Sequence, residues 1–385
     1  MNTGAKKSKK TAFLTGGTGF LGAFLLQDLA ERYERVLCLV RSSTVREAES
    51  RLEANLKYYQ RESAKTMAAV QPLVGDLAKP LLGLTEGDFA RLADDVDVIY
   101  HNGAWVNFVF PYSKLKNANV GGTQEALRLA FTGRVKPFHY TSSLRIFGSS
   151  KGARQGLILE DEVLDTSDGL HTGYSQSKWV AEKLVRTAAE RGLPAAIYRG
   201  GMVTGDSVHG ISNTTDIVCR MLKGCIEIGI APRLEMLCDM TPVDYVSRAM
   251  VELSLASDSL GKIFHMVTPE PVHWNRLVQM VQDHGYRLQV MDYDDWLGKL
   301  RDAVREGGAA ALAPLLSFFA HELPAEIGLR RFDCRHVLAG LAGSDISCPP
   351  LDHELLGRYL EFFVRIGFLE PAPEEAELAL AGEVS

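Results

Sequence analysis

Up to Gly200, short strand-like segments alternate with longer stretches of helical spacing. The strand-like segments are Thr11–Thr15, Val36–Val40, Val70–Val74, Val96–Tyr100, Pro137–Ser142 and Ala195–Arg199. Val36–Val40 is a continuous apolar run, which suits a strand covered on both faces, as in a parallel sheet. Between the segments, Phe20–Arg32, about Val45–Arg61, Ser113–Phe131 and about Gly173–Arg191 predict helices. Strand and helix alternating at this spacing predict an α/β fold, a Rossmann-type doubly wound parallel sheet.

After Gly200 the pattern loosens. Residues 202–240 predict irregular chain with short helices, Pro242–Leu253 a helix and Ile263–Thr268 a further strand. The rest is mainly helical, with Trp296–Val304 and Leu355–Val364 clearly amphipathic. The expected organisation is a dinucleotide-binding domain over 11–201 plus about 241–268. A smaller, mostly helical C-terminal substrate subdomain is expected over about 202–240 plus 269–370. Residues 1–10 are expected to be a linker or disordered lead and 371–385 a frayed acidic tail. No internal repeat is present.

Composition narrows the classes. A formal net charge of −6 argues against a general nucleic-acid binder. Six cysteines, none in a C-x-x-C pair, fit reduced and mostly buried thiols rather than a metal site, so no metal is expected. The longest apolar stretch, Ala309 to Ala320, is short of the ~20 residues of a membrane span. No signal peptide precedes the first strand, and a cytoplasmic protein without membrane association is expected.

The first strand runs into Gly16-Gly17-Thr18-Gly19-Phe20-Leu21-Gly22, which opens the first helix. Glycines spaced this way let a backbone approach a pyrophosphate that the helix N-terminus then stabilises. After the second strand, where an NAD enzyme normally carries an acid, the chain reads Leu39-Val40-Arg41-Ser42. Arg41, helped by Arg51, can pair with a 2′-phosphate, so the expected cofactor is NADPH. The bland alternative is that Arg41 is a surface residue at a strand end. Asp76, with Leu77 behind it, closes the third strand and is placed for the adenine amino group. Asn102-Gly103-Ala104 closes the fourth strand near the ribose. Gly201, after the sixth strand, and Asn119 complete the expected cofactor set, although Asn119 suits a structural or water-ordering part as well.

Tyr174 and Lys178 form a Y-x-x-x-K on a predicted helix, so both project from one face. A nearby ammonium lowers a phenol's pKa, and the phenol can then protonate an oxygen that gains charge. Lys178 can also hold the ribose hydroxyls. Ser143, at the end of the preceding strand, can donate to the same oxygen. It is preferred over Ser142 because it lies five residues before Gly148, and strand-end capping accounts for Thr141 and Ser142.

The set GGTGFLG, VR, GD, HNGA, NVGGT, TSSLRIFG, YSQSK and RGGMVTG resembles extended short-chain dehydrogenases/reductases. Within them it looks most like the thioester reductase domains that end nonribosomal peptide and polyketide–peptide assembly lines. The resemblance covers about 11–270 motif by motif, with Ser142-Ser143 where the family often has Ser-Thr. It implies NADPH-dependent release of an acyl or peptidyl group from the phosphopantetheine arm of a carrier protein. The product is an aldehyde or, after a second round, a primary alcohol, and the isolated domain is expected to be monomeric. The basic run from Lys6 to Lys10 then reads as the end of a carrier-protein linker or as a solubilising tail. Arg301, Arg305, Arg330, Arg331 and Arg335 are candidates for carrier docking, or for a solvated helix face. Rival readings are a sugar-nucleotide epimerase or dehydratase, a fatty acyl-CoA reductase and a non-catalytic NADPH-sensing regulator. The absent acid after strand two and the intact Tyr-Lys pair weigh against the first and third. The missing membrane segment and short C-terminal region weigh against the second.

Overall fold

A computed structural model describes residues 10–148, 156–316, 319 and 330–373. The expected lead and tail therefore lie almost wholly outside the described residues. Seven parallel strands form the main sheet: β1 Thr11–Thr15, β2 Arg35–Val40, β3 Val70–Val74, β4 Val98–His101, β5 Phe138–Ser143, β6 Ala195–Gly200 and β7 Ile263–Met266. Their order is β7-β6-β5-β4-β1-β2-β3, so the winding reverses between β4 and β1. In such sheets the crevice at the reversal, beyond the carboxyl ends of the strands, receives the ligand.

Alternation along the strands covers both faces. Phe13, Leu39, Ile99, Phe138 and Ile197 face one core, which includes side chains of α3 (Glu86–Asp95), α4 (Gly122–Phe131) and α5 (Gly173–Glu190). Ala12, Leu14, Val36, Cys38, Tyr100 and Tyr198 face the other. There α1 (Phe20–Arg32), α2 (Val45–Tyr58) and α7 (Val243–Leu255) pack. That second core runs on without a break into α6 (Ile217–Ile228), α8 (Trp274–Asp283), α9 (Tyr293–Arg305) and α10 (His353–Arg365).

Three departures from the expected elements have physical causes. The fourth strand starts at Val98 because the Val96 N–H closes α3 on the Leu92 carbonyl. The single helix expected over Ser113–Phe131 is divided into Tyr112–Lys116, a π turn at Asn117–Gly121, and α4. The stretch 202–240 is more regular than its sequence implied and holds α6. The Asp216 side chain accepts the Cys219 N–H at its start, and Gly229, with φ of 66°, ends it in the left-handed region.

Candidate functional site

The sequence-predicted residues converge on the carboxyl edge of the sheet. Gly16 has φ of 79°, and a Cβ there would stand 2.7 Å from the Gly103 Cα, so the loops after β1 and β4 touch. A Cβ on Gly22 would stand 2.0 Å from the Gly16 carbonyl oxygen, which forces glycine at that helix position. The Gly19 end of α1 has no side-chain cap and no acid in its first turn. Its N–H groups are thus open to an anion. Thr18 and Leu21 are partly exposed beside it, and Phe20 turns inward to stack near Phe24 and Tyr59. Asn55 of α2 donates to the Gly17 and Gly19 carbonyls at 3.0 and 3.1 Å and holds the loop's shape. Sequence reasoning missed Asn55, whose only signal was a poor helix former in mid-helix.

Arg41 is exposed beyond β2, and Arg51 donates to its carbonyl, anchoring the backbone there. Among the described residues no acid pairs with the Arg41 guanidinium. The Asp76 carboxylate accepts the Ala78 N–H at 2.9 Å, closing its own turn, while Leu77 packs against Gly103 and Gly122. Asn102 reaches towards the Gly16 carbonyl at 3.5 Å, and Ala104 is half-buried beside it.

Beneath these loops runs a buried chain of hydrogen bonds. The Thr123 hydroxyl donates to the Asn119 carbonyl at 2.7 Å, so it accepts from His101 Nε2–H at 3.0 Å. His101 Nδ1 then accepts from the Thr15 hydroxyl at 2.8 Å, and the Thr15 oxygen accepts the Gly103 N–H at 2.8 Å. Burial, aided by the Lys178 charge, pushes the His101 pKa down to about 3, which keeps the ring neutral as this pattern requires. The Asn119 side chain accepts the Trp105 N–H at 2.6 Å and donates to the Trp105 carbonyl and the Ser177 hydroxyl. Its amide is spent on tying the loop after β4 to α5.

Tyr174 lies in the first turn of α5, which Thr172 caps. Its ring packs edge-on against Phe108, with centroids 5.5 Å apart. Burial raises its pKa, and a hydrogen bond from Ser143 and the Arg145 charge draw it back. The Y-x-x-x-K spacing had pointed to Lys178 as the source of that pull. Instead Lys178 Nζ donates to the Thr141 carbonyl at 2.6 Å and lies 4.4 Å from the Tyr140 ring centroid. Burial brings its ammonium down to about 7 against the pull of Glu182. Ser142 turns the other way and donates to Glu182 at 2.5 Å, which leaves Ser143 as the hydroxyl beside Tyr174. Glu182 is also bound by Arg199 at 2.7 Å, with the two side chains 4% and 0% exposed.

Next to Ser143, beyond the ends of β5, β6 and β7, lies a cavity of about 520 Å³. Leu144, Met202, Met221, Met236, Met240 and Trp274 make its wall largely apolar, and Gly201, Asp239 and Arg145 stand on the same wall. A Cβ on Gly201 would stand 1.7 Å from Asp239 Oδ2, so the glycine makes room for that carboxylate. Arg330 donates to the Gly148 carbonyl at 2.6 Å and Arg335 pairs with Asp333 at 2.6 Å. The Arg330 guanidinium is thus engaged with backbone, while the Arg335 pair lies at the surface. Among the described residues no group of side chains could hold a metal, and no helix is long and apolar enough to cross a membrane.

Known proteins share this arrangement. The family model described as "Male sterility protein", an NAD-binding domain, matches residues 14–250. A linear gramicidin synthase protein of Brevibacillus parabrevis is 39% identical over 363 residues, 94% of this chain and 7% of that protein. The L-2-aminoadipate reductase of Schizosaccharomyces pombe is 37% identical over 387 residues, 94% of this chain and 27% of that protein. This chain thus spans a small part of these curated relatives. The crystal structure of the terminal R domain from the myxalamid PKS-NRPS biosynthetic pathway superposes with a TM-score of 0.90 at 44% identity, covering 96% of this chain and 94% of that one. UDP-glucuronic acid 4-epimerase of Bacillus cereus, covering 92% of this chain and 97% of its own, has a TM-score of 0.62 at 16% identity, a likeness of fold alone.

Proposed function

Starting from the fact that the chain belongs to the male sterility protein family of NAD-binding domains, we propose that it is an NADPH-dependent thioester reductase. Its substrate is an acyl or peptidyl group on the phosphopantetheine arm of a carrier protein. The observation that carries this reading is the pairing of two hydroxyls, Ser143 and Tyr174, at the sheet edge, where the residues next to Ser143, Leu144 and Arg145, already line a largely apolar chamber. Similarity to the gramicidin synthase and aminoadipate reductase proteins supports it.

The bare first turn of α1 and the glycine cradle over 16–22 fit a dinucleotide pyrophosphate. Arg41, Arg51 and Asp76 would hold the adenosine end, and Asn102, Gly103, Ala104 and Lys178 the ribose nearer the reacting carbon. When bound, NADPH supplies hydride. Tyr174 gives its proton to the thioester oxygen, and the Ser143 hydroxyl donates a hydrogen bond to that oxygen as charge gathers on it. Arg145 adds positive charge at the phenol. Collapse of the resulting hemithioacetal breaks the C–S bond, returns the carbonyl as an aldehyde and moves the proton to the departing thiol. Residues 202–240 and 269–370 supply the acyl-binding part.

The test is to incubate the protein with NADPH and a panel of acyl-pantetheine thioesters. Thiol release matched by NADPH oxidation is expected, with aldehyde or primary alcohol identified by mass. Unaltered thioesters across the panel would refute the reading.

Cofactor preference gives a sharper check. With no acid after β2 and Arg41 open to solvent, NADPH is expected to bind more tightly than NADH by about 1–3 kcal/mol. Arg41→Ala should remove most of that gap in calorimetry. Equal wild-type affinities would remove Arg41 from the site.

A further inference from the structure

Building on the thioester-reductase reading, we propose that Asp239 is a specificity-determining residue. Its carboxylate accepts a hydrogen bond from an N–H on the carbon next to the thioester carbonyl. The chain thereby selects aminoacyl and peptidyl thioesters over simple acyl ones.

Placement is the first argument. Ser143 pairs in register with Gly200 on the neighbouring strand. Adjacent strands stand about 4.8 Å apart. The next residue, Gly201, has no side chain, and the Asp239 carboxylate occupies the space a side chain would need. Asp239 therefore stands at the end of the strand that neighbours the one bearing Ser143, on the wall of the same chamber. A substituent on the carbon beside the carbonyl is the part of a substrate that comes within its reach.

The second argument is unspent capacity in a costly location. Both Asp239 oxygens accept from the Met202 N–H, at 3.0 and 3.1 Å, and the residue's own N–H adds a local contact. An ionised carboxylate accepts about four hydrogen bonds, so part of its accepting power is left for the chamber it lines. The surrounding wall, including Met202, Met236, Met240 and Trp274, offers little compensation for a buried charge. Burial lifts the Asp239 pKa to about 6, with the Met202 N–H, its own N–H and Arg145 opposing. The other ionic side chains on this wall include Arg330, held by Gly148, and Asp333, held by Arg335. A substrate without the N–H would bury the Asp239 charge and give nothing back. Sites built around such a bond discriminate strongly against analogues that lack it.

The experiment uses the wild-type protein, NADPH and four pantetheine thioesters, three of them of matched size. These are an N-acyl-alanyl thioester, the same molecule with oxygen replacing the N–H, an all-carbon acyl thioester and an alanyl thioester with a free amine. The N-acyl-alanyl substrate is expected to exceed the oxygen and all-carbon analogues in kcat/KM by about 10- to 100-fold. The free amine shows whether amide or ammonium is preferred, and either outranking the two analogues supports the proposal. Asp239→Asn, which can no longer offer two anionic oxygens, should narrow that ratio, and an unchanged ratio in a folded variant overturns the assignment. Equal rates for all four thioesters on the wild type overturn it without any variant. NADPH oxidation with none of them instead sinks the thioester reading, and this proposal with it.

Discussion

Tyr174→Phe is expected to cut thioester turnover by on the order of 10²-fold or more while melting temperature and NADPH affinity stay near wild type. The ring keeps its edge-on contact with Phe108, so the packing of α5 against the loop after β4 survives. What disappears is the hydroxyl, with the hydrogen bond it accepts from Ser143 and its proton. Ser143 remains as a donor to the developing oxyanion, which leaves residual activity rather than none. Single-turnover rates with saturating NADPH measure the effect. A variant that released thiol at near wild-type rate would place the acid elsewhere.

Arg199→Met should lower the free energy of unfolding by about 3–5 kcal/mol, because it strands a carboxylate in the interior. Arg199 and Glu182 meet at 2.7 Å with 0% and 4% exposure, and Arg199 also donates to the Glu160 and Glu162 carbonyls. Glu182 sits one helical turn from Lys178 and accepts from Ser142, so the pair sets the angle between α5 and the end of β5. Adding Glu182→Leu to Arg199→Met removes the stranded charge and should recover part of the loss. Urea unfolding of the two variants decides it, and a loss below about 1 kcal/mol in the single variant would show that the pair holds little.

Strand β1 begins and ends where its hydrophobic pattern does, because burial on both sides of the sheet writes itself into the sequence, and helix α1 follows its own pattern in the same way. Family membership and fold class were legible for the same reason, since glycine loop, strand and helix stand close together in sequence. Long-range pairings were not. Asn55 grips the glycine loop from 36 and 38 residues away, and nothing near it in sequence records that contact. Arg199 interrupts an apolar strand and could have warned of a buried partner, but only the fold identifies Glu182. Asp239 lay in a stretch read as irregular, where neither period nor motif distinguishes a chamber residue from a loop residue. Arg330 and Arg331 look alike in sequence, yet the Arg330 guanidinium reaches the Phe147 and Gly148 carbonyls while Arg331 is exposed.

The bond from Arg330 to Gly148 joins points 182 residues apart in the chain, and between them the chamber also takes wall from residues within 217–221 and 234–240. If the chamber selects the substrate as proposed, its wall is best inherited as a unit. A recombination crossover between related genes anywhere from Gly148 to Arg330 would join part of one parent's wall to the remainder of the other's, with side chains that never evolved to pack together. Exchanges that carry the entire unit, with junctions outside the sheet and its helical cover, move the chamber intact. Graded retuning must then come from point substitutions at wall positions such as Met221 or Met236, whose flexible side chains tolerate a change of shape next door.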